Sequence, residues 1–356
     1  MITLAGGRRL ASQSGDSLTR RLVGIYLFLA VFNLGAWVWA FIAFHGRPVM
    51  LGVALVVYGL GLRHAVDADH IAAIDNVTRK LMQQGRRSVS VGLFFALGHS
   101  SIVIGVTAAL AGLATVLAGF QRFQVIGGLV STAVSSLFLI AIAAINIVIY
   151  VSIFRTYRQV RAGGAYIEED LDMLLGNRGF LSRLMKPLFG LIRHSWQMFP
   201  LGLLFGLGFD TATEVAVFGI SAAQAAKGVS TAATLVFPVL FAAGMSLLDT
   251  TDGVLMLRAY DWAFIKPMRK LFYNMTITLI SVAVALLIGG IEGFSLLRDQ
   301  LRLAGPFWDT VAMLGANMNV LGLLIIGLFA ASWLVSFIVY KVKRLDAFEV
   351  ASPDPR

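Results

Sequence analysis

Two histidines and two aspartates fall within one short run, His64-Ala65-Val66-Asp67-Ala68-Asp69-His70. Each residue of a helix advances about 100°, so His64, Asp67 and His70 would share an arc of roughly 120°. Imidazoles and a carboxylate together form an N/O ligand set suited to nickel, cobalt or zinc. Asp69 points away from that arc, toward a histidine to orient or a neighbouring helix. An unbroken helix would hold His64 and His70 about 9 Å apart, whereas ligand bonds are near ~2 Å. Either the helix loosens between Ala65 and Ala68, or the two histidines serve successive positions of a path. The competing reading is a hydrogen-bond cluster that ties helices together.

Further metal-capable side chains lie at a distance in the chain. His99 follows Gly98, where a neighbouring backbone can approach closely, and Asp69 or Asp75 could hold its second ring nitrogen. Asp210 and Glu214 are one helical turn apart. They would face the metal, carry protons, or pair with Arg63 or Arg258, while Thr211 and Thr213 could bond back to their own helix. Met245, Asp249, Asp252 and Met256 form one helical stripe, whose aspartates would line a cavity and whose methionines are ordinary core residues.

The setting gives these groups their meaning. Of 356 residues, 58% are hydrophobic and only 13% charged, with a mean hydropathy of +0.81. Soluble domains carry about 25% charged residues, so the composition predicts an all-α integral membrane protein. Ionisable groups at bilayer depth are costly and mark functional sites. The net charge of +10 sits in short clusters between apolar stretches, which points to membrane topology and lipid rather than nucleic acid. There is no cysteine, so thiolate ligands and disulfides are excluded. No GxxxxGK[ST] loop and no HExxH occurs, which removes ATP hydrolysis by that route and disfavours an intramembrane zinc protease.

Hydropathy predicts eight transmembrane helices, near 22–44, 49–78, 88–118, 126–153, 199–222, 229–258, 271–292 and 319–341. The first is too long for a signal peptide and is read as a retained span. Residues 1–21 form an N-terminal segment, 22–343 a single permease domain with a polar loop over about 155–198, and 344–356 a short tail. That loop is expected to carry a short surface helix. His64, His99, Asp210 and Asp249 then fall near the middle of four different spans, where transporters place substrate. Of the 29 Lys and Arg, 23 lie in the N-terminus, the even-numbered loops and the C-terminus, which predicts that both termini are cytoplasmic. Gly59-Leu60-Gly61-Leu62 and Gly206-Leu207-Gly208-Phe209 each precede an acidic motif, and each motif helix is followed by a second polar one. With this span count the two units would be antiparallel, an inverted-topology repeat.

Four blocks together resemble the nickel/cobalt permease family: RHAVDADHI at 63–71, Leu97-Gly98-His99-Ser100, Leu207 to Glu214, and Gly244 to Gly253, which includes Ser246. They run in the family's order, and the resemblance covers roughly residues 20–345. It implies a high-affinity secondary transporter of the inner membrane that imports Ni2+, with Co2+ as a second substrate. Metal ligands would come from His64, Asp67, Asp69, His70 and His99. Asn33, Val66, Asp75, Asp210, Glu214, Ser246, Asp249 and Asp252 would line the pathway or support the ligands. Family members that look nickel-selective pair Asn in the first helix with Val at the position of Val66, and broader ones have His and Phe. No cofactor and no ATPase subunit is implied; the partners are the ion and membrane lipid. The residues alone reach only a divalent-metal transporter. The alternatives are a membrane-embedded metalloenzyme, a carrier of zinc or manganese, and a proton-conducting channel.

Overall fold

The computed structural model describes residues 3–112, 117–161, 192–208, 212–263 and 267–342. All regular structure among them is helical. Helix α1 (Thr3–Ala43) carries its apolar span from Leu18 onward. A turn through Gly46, at φ 74°, leads to α2 (Pro48–His64), whose proline sits in the first turn, where no N–H is needed. Then come α3 (Ala68–Gln83), α4 (Val91–Gly112) and α5 (Leu117–Arg161). After a 3-10 turn at Ser195–Gln197 the chain forms α6 (Met198–Phe205) and α7 (Ala212–Ala226). A single turn, Thr231–Thr234, enters α8 (Val236–Ala263), followed by α9 (Pro267–Leu301), α10 (Pro306–Gly315) and α11 (Met318–Val342).

Five of these helices are long and apolar enough to cross a membrane, and seven spans result if two bent helix pairs are each counted as one. The chain is a multi-pass membrane protein. The continuous helix expected over 49–78 is instead α2 and α3, bent by 52° at Ala65–Asp67. The span expected at 199–222 is the short pair α6 and α7, and residues 209–211 between them lie outside the described residues. The last span is preceded by α10, bent by 74° from α11. The surface helix expected in the polar loop falls on residues 162–191, also outside the described residues.

The α2–α3 break has a specific support. Asp67 is of a residue type that favours the position preceding a helix, and it sits there with extended backbone (φ −65°, ψ 143°), yet its carboxylate makes no cap to α3. It turns back to His64. Irregular backbone at membrane depth survives only where protein covers it. Here α11 does so: a Cβ at Gly322 would fall 1.7 Å from the Val66 carbonyl oxygen, so only glycine permits the approach.

Two helix crossings are built alike. Where α2 crosses α8, a Cβ at Gly61 would meet the Phe241 carbonyl at 2.2 Å, and one at Gly244 would meet the Tyr58 carbonyl at 2.8 Å. Where α4 crosses α6, Gly98 stands against Phe199 at 2.0 Å and Gly202 against Phe95 at 2.1 Å. Small residues let helix backbones close up in lipid, where packing drives association. Helix α4 in turn meets α8 at Gly92, where a Cβ would fall 1.9 Å from the Asp249 carbonyl oxygen, so α2, α4 and α8 come together.

Candidate metal centre

His64 ends α2, His70 lies in the first turn of α3, and His99 comes from the middle of α4. One donor atom from each of the three lies within 4.8 Å of the others. The break makes this convergence available, since it brings the rings of His64 and His70 to a centroid distance of 4.6 Å, about half their separation on a straight helix. All three histidines are buried, and Phe95 and Phe241 wall them, 4.8 Å from His70 and 5.4 Å from His64.

For His64 and His70 the nitrogen facing away from the centre is held by oxygen, whereas His99 Nδ1 is buried with no hydrogen-bond partner. Asp67 Oδ2 lies 3.0 Å from His64 Nδ1, and Thr213 Oγ1 lies 3.1 Å from the same atom. Nδ1–H donated to the carboxylate leaves the Nε2 lone pair facing inward, the usual arrangement behind a ligating imidazole. His70 Nδ1 faces both oxygens of Asp249, at 3.4 and 3.3 Å, and its buried Nε2 has no hydrogen-bond partner. His99 Nε2 stands 3.0 Å from His64 Nε2 and 2.8 Å from Glu214 Oε1. Nε2 of His64 and Nε2 of His99 are 3.0 Å apart and a His70 donor lies within 4.8 Å of the other two, close enough for all three to turn toward one ion with bonds of about 2.1 Å.

The remaining expected residues divide. Asp67 reaches His64 from behind the centre, and Asp69 is half-buried and outside the histidine cluster. Neither Asp69 nor Asp75 holds the second ring nitrogen of His99, whose buried Nδ1 has no hydrogen-bond partner; Glu214 meets its Nε2 instead. Asp75 is buried further along α3, accepting from Tyr260 and, at 2.8 Å, from Ser281. Asp249 and Ser246 are fully buried, and Asp252 is half-buried. Asp210 and Thr211 lie outside the described residues. Asn33 donates to the Leu29 and Ala243 carbonyls and accepts from Tyr58, joining α1, α2 and α8 beside Gly244. Val66 sits in the break, half-buried against the core. Phe95, Phe241 and the contact from Thr213 to His64 were not read from the sequence. The matching Phe95-Ala96-Leu97-Gly98 and Phe241-Ala242-Ala243-Gly244 were the available signal for the two rings.

Comparison with known proteins follows the same lines. Residues 50–339 match the family described as high-affinity nickel-transport protein, NicO. A high-affinity nickel transport protein of Cupriavidus necator is 55% identical over 98% of this chain and 99% of its own length. The hydrogenase nickel incorporation protein HupN of Bradyrhizobium diazoefficiens is 49% identical, over 96% of this chain and 90% of its own. A cobalt transport protein, NhlF of Rhodococcus rhodochrous, is 39% identical over 92% and 90%. No solved structure matches.

Proposed function

The chain belongs to the high-affinity nickel-transport family, and we propose that it imports Ni2+ into the cytoplasm as a secondary transporter through the His64, His70 and His99 centre. It is a transporter and not an enzyme, and nickel is its substrate rather than a cofactor. The observation that carries the site assignment is the convergence of three buried imidazoles from three helices, two of them backed by carboxylates on Nδ1. Such a cluster without a cation leaves buried ring nitrogens unpaired, which is costly. Inward movement of a divalent cation gains about 4.6 kcal/mol per 100 mV of membrane potential, twice the single-charge value. Import therefore needs no ATPase subunit.

In this reading the protein lies in the inner membrane with eight spans, both termini cytoplasmic, the fifth span being α6 with α7. The spans form an inverted repeat in which α2, α3 and α4 correspond to α6, α7 and α8. The crossings support a register different from the one that aligns Gly61 with Gly208. Leu60-Gly61-Leu62 corresponds to Leu201-Gly202-Leu203, and Phe95 and Gly98 to Phe241 and Gly244. In that register α2 and α6 end at equivalent residues, His64 and Phe205, and Asp69 is equivalent to Asp210.

The test is uptake of radioactive nickel by cells expressing the chain, in competition with cobalt, zinc and manganese. Nickel should accumulate, cobalt should compete, and zinc and manganese should compete poorly. Failure of cells to accumulate nickel above controls, with the protein present in the membrane, would sink the assignment.

A further inference from the structure

A cavity of about 710 Å³ opens at the ends of several spans, well away from the histidine centre. It lies between the start of the α1 span, the α3–α4 turn and the 3-10 segment before α6. Arg21, Arg86, Arg87 and Arg193 line it, with Ser90 and the indole of Trp196. Its shape is fixed from within. Arg86 donates to the Arg193 carbonyl and lies 3.2 Å from His194 Nε2. Gln197 accepts from the backbone N–H groups of Arg193 and His194, and Ser90 donates to Ser195 at 2.9 Å. Helix α4 begins at Val91, directly after Ser90, so its positive N-terminal end adds to the field.

The charge of the cavity is one-sided: four arginines and no carboxylate are among the described residues that line it, and an anion bound there offsets that charge through charge-assisted hydrogen bonds. The cargo cannot be the ligand, because a divalent cation is repelled by this field.

We propose that this cavity binds the phosphate headgroup of an anionic phospholipid. It lies where spans begin and end, at headgroup level, and basic pockets between transmembrane helices suit such headgroups. Its volume exceeds that of a phosphate ion and leaves room for the glycerol. Leu18 and Ile25 give it an apolar side for the start of the acyl chains. Trp196 is 57% exposed, as aromatic rings at the membrane interface are.

The full-length protein in neutral detergent is titrated with a fluorescent short-chain phosphatidylglycerol and with the matching phosphatidylcholine. Phosphatidylglycerol should bind at least tenfold tighter. The Arg21→Gln, Arg193→Gln double variant should bind it about 25-fold more weakly, about fivefold for each charge removed. The corresponding double Lys variant should stay within a few-fold of the parent, and an Arg47→Gln, Arg302→Gln variant should bind as the parent does. Nickel uptake at the parent rate by the Gln variant shows that it folds; if it does not fold, the Lys variant and the comparison of the two lipids still decide. Equal affinity for both lipids, or unchanged phosphatidylglycerol binding in a folded Gln variant, overturns the proposal. Displacement of the lipid by inorganic phosphate at equal concentration also overturns it, because the site would then take a soluble anion.

Discussion

At the scale of single residues, His64 and His70 divide into a nitrogen that faces the centre and one that a carboxylate holds from behind, while His99 meets Glu214 through the same nitrogen that faces His64. That division makes different losses for different substitutions. His64→Ala, His70→Ala or His99→Ala removes a donor, and each is expected to abolish nickel uptake while the protein still reaches the membrane. Asp249→Asn keeps the shape but weakens the hold on His70 Nδ1, so nickel affinity should fall by about 10- to 100-fold, with transport recovered at high nickel. Uptake in a range of nickel concentrations separates the two classes, and a His70→Ala variant with normal uptake would remove it from the centre. Selectivity is expected to lie one step further out. Asn33 fixes α1 to the α8 backbone next to Gly244, and Val66 occupies the break between the two histidines. An Asn33→His, Val66→Phe double variant should lose preference for nickel over cobalt, measured by uptake of each metal against the other. Equal ratios in parent and variant would exclude both residues from selectivity. His64, His70 and His99 could be picked out in the sequence because imidazoles in apolar stretches are conspicuous. The partner of His99 could not, because Glu214 is far away in the chain and only the tertiary approach of α7 brings it there.

At the scale of helices, the centre exists because a helix is interrupted and its neighbours close in on it. The apolar stretches were readable, since lipid demands long uninterrupted runs of hydrophobic residues. The break was readable only as a geometric requirement. Ala65 and Val66 are neither glycine nor proline, and the one local signal is Asp67, a residue type that favours the position before a helix. What stabilises the break is remote: Gly322 of α11 against the Val66 carbonyl, and Asp67 turned back to His64. The glycines at the crossings make this quantitative. Gly61→Ala and Gly202→Ala each force a methyl into a carbonyl oxygen little more than 2 Å away, which should cost about 1–3 kcal/mol as overpacking. Gly105 has nothing within 4 Å of a built Cβ, so Gly105→Ala should be neutral or stabilising by up to about 1 kcal/mol, as helix propensity alone gives. Thermal unfolding of the three purified variants tests the contrast. If Gly61→Ala melts with the parent, the close crossing of α2 and α8 is not as drawn.

At the scale of the molecule, two independent features bear on how the chain is threaded through the membrane. One is charge: basic residues concentrate in alternate loops, and such residues stay on the cytoplasmic side. The other is packing: the α2–α8 and α4–α6 crossings are built from equivalent residues in one register. In the eight-span count the second unit begins three spans after the first (α2 with α3, α4 and α5), and an odd offset makes the two units enter the membrane from opposite faces, so equivalent positions of the two units lie on opposite sides. Helix α3 ends at Gln83 and its counterpart α7 ends at Ala226, close to equivalence in that register. Reporter fusions placed just after them, at Gln84 and at Lys227, should therefore report opposite faces, with Gln84 cytoplasmic. The interrupted pair α6 and α7 decides the result. If that pair dips into the membrane and returns instead of crossing, every element after it is inverted, and the two fusions report the same side. A same-side result would end both the eight-span count and the inverted repeat. It would leave the convergence of His64, His70 and His99 standing, because all three precede α6, but not the backing that Glu214 and Asp249 bring from α7 and α8.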